Sequence, residues 1–290
     1  MIKIEKLVLQ KCMDYSSNLN FIDGQITKDG TLLLIESNLH ELDFFQRPVT
    51  KNNWTIQMIK GNSVETVELE NVPLIPTHVD LFSDGSLLIL QGRCLKDGTY
   101  IEQNARRYNR NGQLIEAFTL GDGIEQVQID ETDTIWVSYF DEGVFGNYGW
   151  EQPMGSDGLI AYKINGQKLW GACNYAIVDC YALNVVSSKE VNFYYYDEFF
   201  LVQLNEMKET IRYRIKGDDT LEQFMFDETG LIGQVDWNTI MRFRIKNRTI
   251  SPKEKIQLTG EKGKPIIGPV FMRGTFLYAY GKDGLYKKKF

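Results

Sequence analysis

The feature that most constrains this chain is residues 121–170, GDGIEQVQIDETDTIWVSYFDEGVFGNYGWEQPMGSDGLIAYKINGQKLW. The stretch reads as four short strands separated by turns, because alternate side chains on a strand face opposite ways. In 124–130, Ile124, Val127 and Ile129 oppose Glu125, Gln126 and Gln128, with one break in phase. Residues 131–133 (Glu-Thr-Asp) form a turn, where short polar side chains bond their own backbone. Residues 134–140 are β-branched and aromatic, which suits a packed, pleated surface. Residues 159–164 resume the strand pattern, Asn165-Gly166 is a tight-hairpin signal, and 168–170 close the unit. Four antiparallel strands in roughly 50 residues match one blade of a β-propeller.

Weaker copies place unit starts near positions 20, 77, 124, 178, 221 and 268. That spacing of roughly 43 to 57 residues is in the range of propeller repeats. The sixth unit has room for three strands before position 290, while residues 2–10 form a strand with no unit of its own. The fold expected is therefore all-β, a six-bladed β-propeller closed by the N-terminal strand joining the last blade. That pairing also covers sheet edges that invite aggregation. No Pro/Gly/Ser linker or charge run divides the chain, so residues 1–290 read as one domain.

Hydrophobic residues make up 43% and charged residues 24%, as in soluble globular proteins. The net charge of -7 argues against nucleic-acid binding, which needs a basic face to displace counterions. Cys12, Cys94, Cys173 and Cys180 form no Cys-x-x-Cys pair, and His40 and His78 are the only histidines, so a tetrahedral zinc site is not expected. Charges at Lys3, Glu5 and Lys6 interrupt the N-terminus, and no later apolar run would span a bilayer. A cytoplasmic monomer with reduced thiols and no membrane partner is the expectation.

Residues 135–147, IWVSYFDEGVFGN, with Gly121-Asp122-Gly123-Ile124-Glu125 ahead of them, resemble a stretch of uncharacterised bacterial six-bladed β-propeller proteins, NHL-like or lactonase-like in architecture. The resemblance implies the fold and no activity. The Gly-His and Trp-Asp dipeptides of WD40 repeats do not recur.

Ligand chemistry on such a frame belongs to the loops between second and third strands and to the axial channel. The loop 141–157 combines four acids, four glycines and three aromatics of the exposed type, Phe145, Tyr148 and Trp150. Asp141, Glu142, Asn147, Tyr148 and Trp150 are its candidate binding residues. Acids recur at the corresponding turns (Glu36, Asp97, Asp141, Glu142, Asp197, Glu198, Asp236, Asp283), and such a ring would focus negative potential on a channel mouth, although aspartate is also simply a good turn former. Glu125 and Glu222 sit alike inside the first strands of their units, with Asp179 able to join them. Three channel carboxylates suit a metal such as Ca or Mn, or acid–base work. No nucleophile elbow, phosphate loop or dinucleotide fingerprint is present. The sequence therefore favours a non-enzymatic scaffold that needs no cofactor and binds an unidentified protein or small ligand. The alternative is a metal-dependent hydrolase of the sugar-lactonase kind built on Glu125, Asp179 and Glu222.

Overall fold

The computed structural model describes residues 3–43, 49–147, 149–217 and 220–290. It is all-β, and its sheets close nearly into a barrel. Strand β1 (Ile4–Met13) precedes a meander of β2 (Asn20–Ile26), β3 (Leu32–Ser37), β4 (Asn52–Lys60) and β5 (Ser63–Val72). Next come β6 (His78–Leu81) and β7 (Leu87–Leu90), a small hairpin of β8 (Lys96–Asp97) and β9 (Tyr100–Ile101), then β10 (Ala105–Tyr108) and β11 (Leu114–Phe118). The third meander has β12 (Ile124–Ile129), β13 (Ile135–Tyr139), a short helix α1 (Asp141–Phe145), β14 (Leu159–Tyr162) and β15 (Lys168–Gly171). The fourth has β16 (Asp179–Ser187), β17 (Glu190–Tyr196), β18 (Phe200–Asn205) and β19 (Lys208–Ile215). The fifth has β20 (Gln223–Asp227), β21 (Gly230–Asp236), β22 (Thr239–Lys246) and β23 (Thr249–Gly260). The chain ends with β24 (Val270–Arg273), β25 (Phe276–Gly281) and β26 (Gly284–Lys289).

Strand β1 is shared. Ile4 to Leu9 run parallel to Lys255 to Gly260 of β23, and Gln10, Lys11 and Met13 pair antiparallel with β26. The expected pairing of the N-terminal strand with the last unit is present, and a second pairing with the fifth unit accompanies it. Strand β23 also pairs with β19, so the fourth, fifth and last units merge into one twelve-stranded sheet.

Six apolar clusters hold the units together, each drawn from two consecutive meanders. Trp54 and Ile56 of the first unit pack with Leu87 and Ile89 of the second. At the other end, Leu32 and Leu34 meet Phe271 and Tyr278, so the last unit returns to the first. Inner strands such as β3 are apolar on both faces because both faces are covered, whereas outer strands such as β5 and β11 are largely exposed. Leu32, Leu33, Leu34 and Ile35 of β3 are all buried. Each such side chain contributes roughly 1.5–3 kcal/mol relative to exposure.

The first strands of the units, β2, β6, β12, β16, β20 and β24, are neighbours in a closed cycle. Being the first strand of its own unit, each has one edge without a ladder partner, and side chains of the preceding first strand in the cycle serve that edge. Gln25 donates to Val79 O (3.1 Å), and Asp80 accepts from Ile129 N (2.6 Å). Gln128 donates to Leu183 O and accepts from Val185 N, and Asn184 donates to Phe224 O. Gln223 donates to Val270 O and accepts from Met272 N, and Arg273 donates to Ile26 O, completing the circuit. A primary amide carries a donor and an acceptor, so a single Gln satisfies both kinds of backbone group on a facing strand.

Candidate functional site

The break in phase at Glu125 is a β-bulge: the β12–β13 register shifts between Ile124 and Gln126. Bulges also fall between Phe21 and Asp23 in β2 and between Asp179 and Ala182 in β16. All three lie toward the starts of first strands, where extra residues re-aim side chains. These strand starts surround a cavity of about 1030 Å³ whose lining includes Asp23, His78, Glu125, Glu222, Trp237 and Ile267. Arg273 follows the last lining residue of β24, and its partners Ile26, Asp80, Ile129 and Val185 lie at or beyond the lining residues of their own strands. The guanidinium therefore seals the inner end.

Electrostatics distinguish this mouth from the rest of the molecule. Burial, then the charges of Asp179 and Glu222, push the Glu125 carboxyl up to about 7. Burial and the neighbouring Asp141 push Asp179 up to about 6, although the Asp141 N–H opposes the rise. Glu222 is raised by burial and by Asp236. An arc of mutually repelling carboxyls thus runs Asp141, Asp179, Glu125, Glu222, Asp236 across the third, fourth and fifth units. Across the cavity, burial pushes Asp23 up to about 7. Burial holds His78 down to about 4, so its neutral ring donates from Nε2 to Glu125 O (2.9 Å) while Nδ1 accepts from the Thr77 hydroxyl (2.8 Å).

The structure brings Glu125, Asp179 and Glu222 into electrostatic contact. Among the described residues, however, no three His, Cys, Asp or Glu side chains are grouped as the ligands of a metal ion. The loop candidates behave differently. Asp141 opens α1 and abuts Asp179, while Glu142 forms an ion pair with Arg93, which also meets Asp122 at 3.1 Å. Asn147 bonds to Glu142. Trp150 corrects the expectation of an exposed aromatic: it is buried, its indole donates to Cys94 O at 2.7 Å, and Lys96 lies over its ring. Gly146 and Gly149, both at positive φ, turn the chain back against the second unit, and this puts the indole inside. Phe145 does stay exposed, and Tyr148 lies outside the described residues.

Of the remaining recurrent acids, Glu36 is buried and accepts from Tyr15 and Ser17, and Asp283 accepts from Tyr286. Those two serve the fold. Sequence reasoning missed Asp23 and Trp237. The signals were an acid in an apolar strand and a large aromatic inside the hairpin turn Asp236-Trp237-Asn238.

Residues 154–288 match the model of the YxzG family. The matched segment starts after α1 and ends in β26, so it contains Asp179, Glu222 and Trp237 but not Glu125, Asp23 or His78. No curated protein matches the chain. Among the described residues no helix is long and apolar enough to cross a membrane.

Proposed function

We propose that the six meanders are the blades of a β-propeller, closed by β1 beside β26, and that the protein is a non-enzymatic scaffold holding a small ligand in its axial cavity. The closed cycle of first strands and the six inter-unit cores support the architecture. One observation carries the function: a cavity of about 1030 Å³ stands at the starts of the inner strands, and its lining includes Glu125 and Glu222, both raised by burial and then by neighbouring carboxyls. That volume is at the upper end of small-molecule sites. The loop 141–157 contributes Asp141 to the rim, while Glu142 and Trp150 are spent on internal partners.

Saturation-transfer NMR of a small-molecule library, read alongside Trp237 emission and melting temperature, tests the reading. Compounds that saturate, shift the emission and raise the melting temperature support it. A library with no such compound sinks it. The second reading, a Ca- or Mn-dependent hydrolase of the sugar-lactonase kind, draws on the mutual influence of Glu125, Asp179 and Glu222. The lack of a metal-like grouping among the described residues keeps it second. A saturable rise in melting temperature with either ion, lost in Glu125→Ala/Glu222→Ala, would promote it.

A further inference from the structure

Resting on that cavity reading, we propose that the ligand is an amphipathic amine: its ammonium group sits between Glu125 and Glu222, and its apolar arm lies on Trp237 and Ile267. Both halves of the argument come from residues that line the same cavity.

The apolar side is exposed to an unusual degree. Trp237, Ile267 and Ile4 are 79%, 70% and 61% exposed, three of the four most exposed large apolar side chains among the described residues, and all three line this cavity. They come from the β21–β22 turn, the segment before β24 and the start of β1, and the fold gathers them on the rim shared by the fifth and last units. Singly exposed apolar residues need no explanation, but a group around a cavity marks a contact surface.

The polar side is acidic and unpaired. Carboxylates elsewhere have cations or donors: Asp227 pairs with Arg242, Asp122 pairs with Arg93, and Glu36 accepts from Tyr15 and Ser17. Among the described residues no donor is bonded to the side chains of Glu125 or Glu222, and Asp179 Oδ1 is buried without a hydrogen-bond partner. Glu125 is partly buried and Glu222 is exposed at the mouth; a carboxylate that a bound ligand takes out of water without a donor is costly, and a ligand ammonium supplies both donor and counter-charge. Among the described residues Lys255 is the one cationic side chain on the lining, set against Asp23, Glu125 and Glu222, while His78 is held neutral. An anionic ligand would meet repulsion, and a bare metal ion would leave the apolar rim uncovered.

An ammonium arriving beside Glu125 favours its carboxylate. A carboxyl that holds its proton up to about 7 then gives that proton to the buffer near neutral pH. Binding is therefore expected to release protons.

The experiment uses the full chain with four probes, hexylamine, hexanol, hexanoate and ammonium chloride, followed by calorimetry at pH 7 in two buffers of different ionisation enthalpy. Hexylamine is expected to bind at least about tenfold more tightly than the other three, with proton release. Glu125→Gln/Glu222→Gln should reduce hexylamine to the level of hexanol and abolish the release. Trp237→Ala should weaken both by a similar factor. Gln is close in shape to a protonated Glu, and a double variant that melts at or above the parent protein shows that the fold is kept. Hexanol or hexanoate binding as tightly as hexylamine would overturn the amine and leave the cavity reading standing. If none of the four binds, the amine proposal and the cavity reading both fall.

Discussion

Arg273 Nη1 donates to Asp80 Oδ2 at 2.8 Å, and the two side chains meet with 2% and 0% of their surface exposed. They belong to the last and second units, so the pair joins the two units that flank the first. The same guanidinium also donates to the carbonyls of Ile26, Ile129 and Val185, and thereby touches the first, third and fourth units.

Removing one partner of a buried ion pair leaves a buried charge uncompensated, which costs about 3–5 kcal/mol. Arg273→Met is expected to lose that much in urea denaturation. Asp80→Leu/Arg273→Met should recover part of it, because no lone charge remains. A single variant within about 0.5 kcal/mol of the parent protein, the range of ordinary surface changes, would remove this residue from the centre of the stability argument.

The raised carboxyls give stability a definite pH dependence. Asp23 and Glu125 are held up to about 7 and Asp179 to about 6 in the folded state, against ordinary values of 3.8 for Asp and 4.5 for Glu. Between about 4 and 7 the folded chain therefore binds more protons at these groups than the unfolded chain does. Their contribution is fully present below the unfolded values and is lost as pH rises through the folded ones. His78, lowered from 6.5 to about 4, works the other way over the same window but is a single group. Glu125→Gln should melt with the parent protein near pH 4.5 and above it at pH 8. Parallel melting curves across that window would contradict the placement of Glu125.

Trp136 is fully buried in the core between the third and fourth units, donates to Asp130 Oδ2 at 3.0 Å and packs on Trp170 with ring centroids 5.7 Å apart. Trp136→Ala is expected to cost about 3–5 kcal/mol, since it leaves a cavity between two sheets. Trp170 is only half-buried, and its Ala variant should lose less. An unchanged melting temperature for Trp136→Ala would refute the packing role.

Strand β1 holds two sheets at once. Leu7 and Leu9 face the core while Lys6 and Val8 face outward, and Glu5 binds Arg242 at 2.6 Å. Deleting residues 1–10 removes the whole ladder to β23 and the Gln10 pair with β26 and so exposes the edge of β23; light scattering should show association and the melting temperature should fall. Leu9→Ala alone should cost about 2–5 kcal/mol. A truncated protein that stays monomeric and equally heat-resistant would end the idea that this strand closes the molecule.

Much of the strand plan was legible. The expected unit starts at 20, 77, 124, 178, 221 and 268 lie within two residues of the observed Asn20, His78, Ile124, Asp179, Gln223 and Val270. Two-residue alternation and turn dipeptides are local signals, and local signals survive in a linear text. Even the bulge at Glu125 showed as a break in phase. The site was legible in part. Glu125, Asp179 and Glu222 were found because they stand alike at strand starts. Trp150 was misread because its fate depends on the Cys94 carbonyl, 56 residues away in the chain.

What the sequence determined by itself is the succession of strands and turns and the polar positions inside the first strands, since each follows from the preferences of neighbouring residues. Only the tertiary structure decided which of those positions meet. Gln25, Asp80, Gln128, Asn184, Gln223 and Arg273 read alike as scattered polar residues, yet they complete one circuit of hydrogen bonds. Ile4, Trp237 and Ile267, spread over more than two hundred positions, share one rim. The reason is that backbone preference acts over a few residues, whereas the charge and water a side chain finally meets depend on sheets packed from distant parts of the chain.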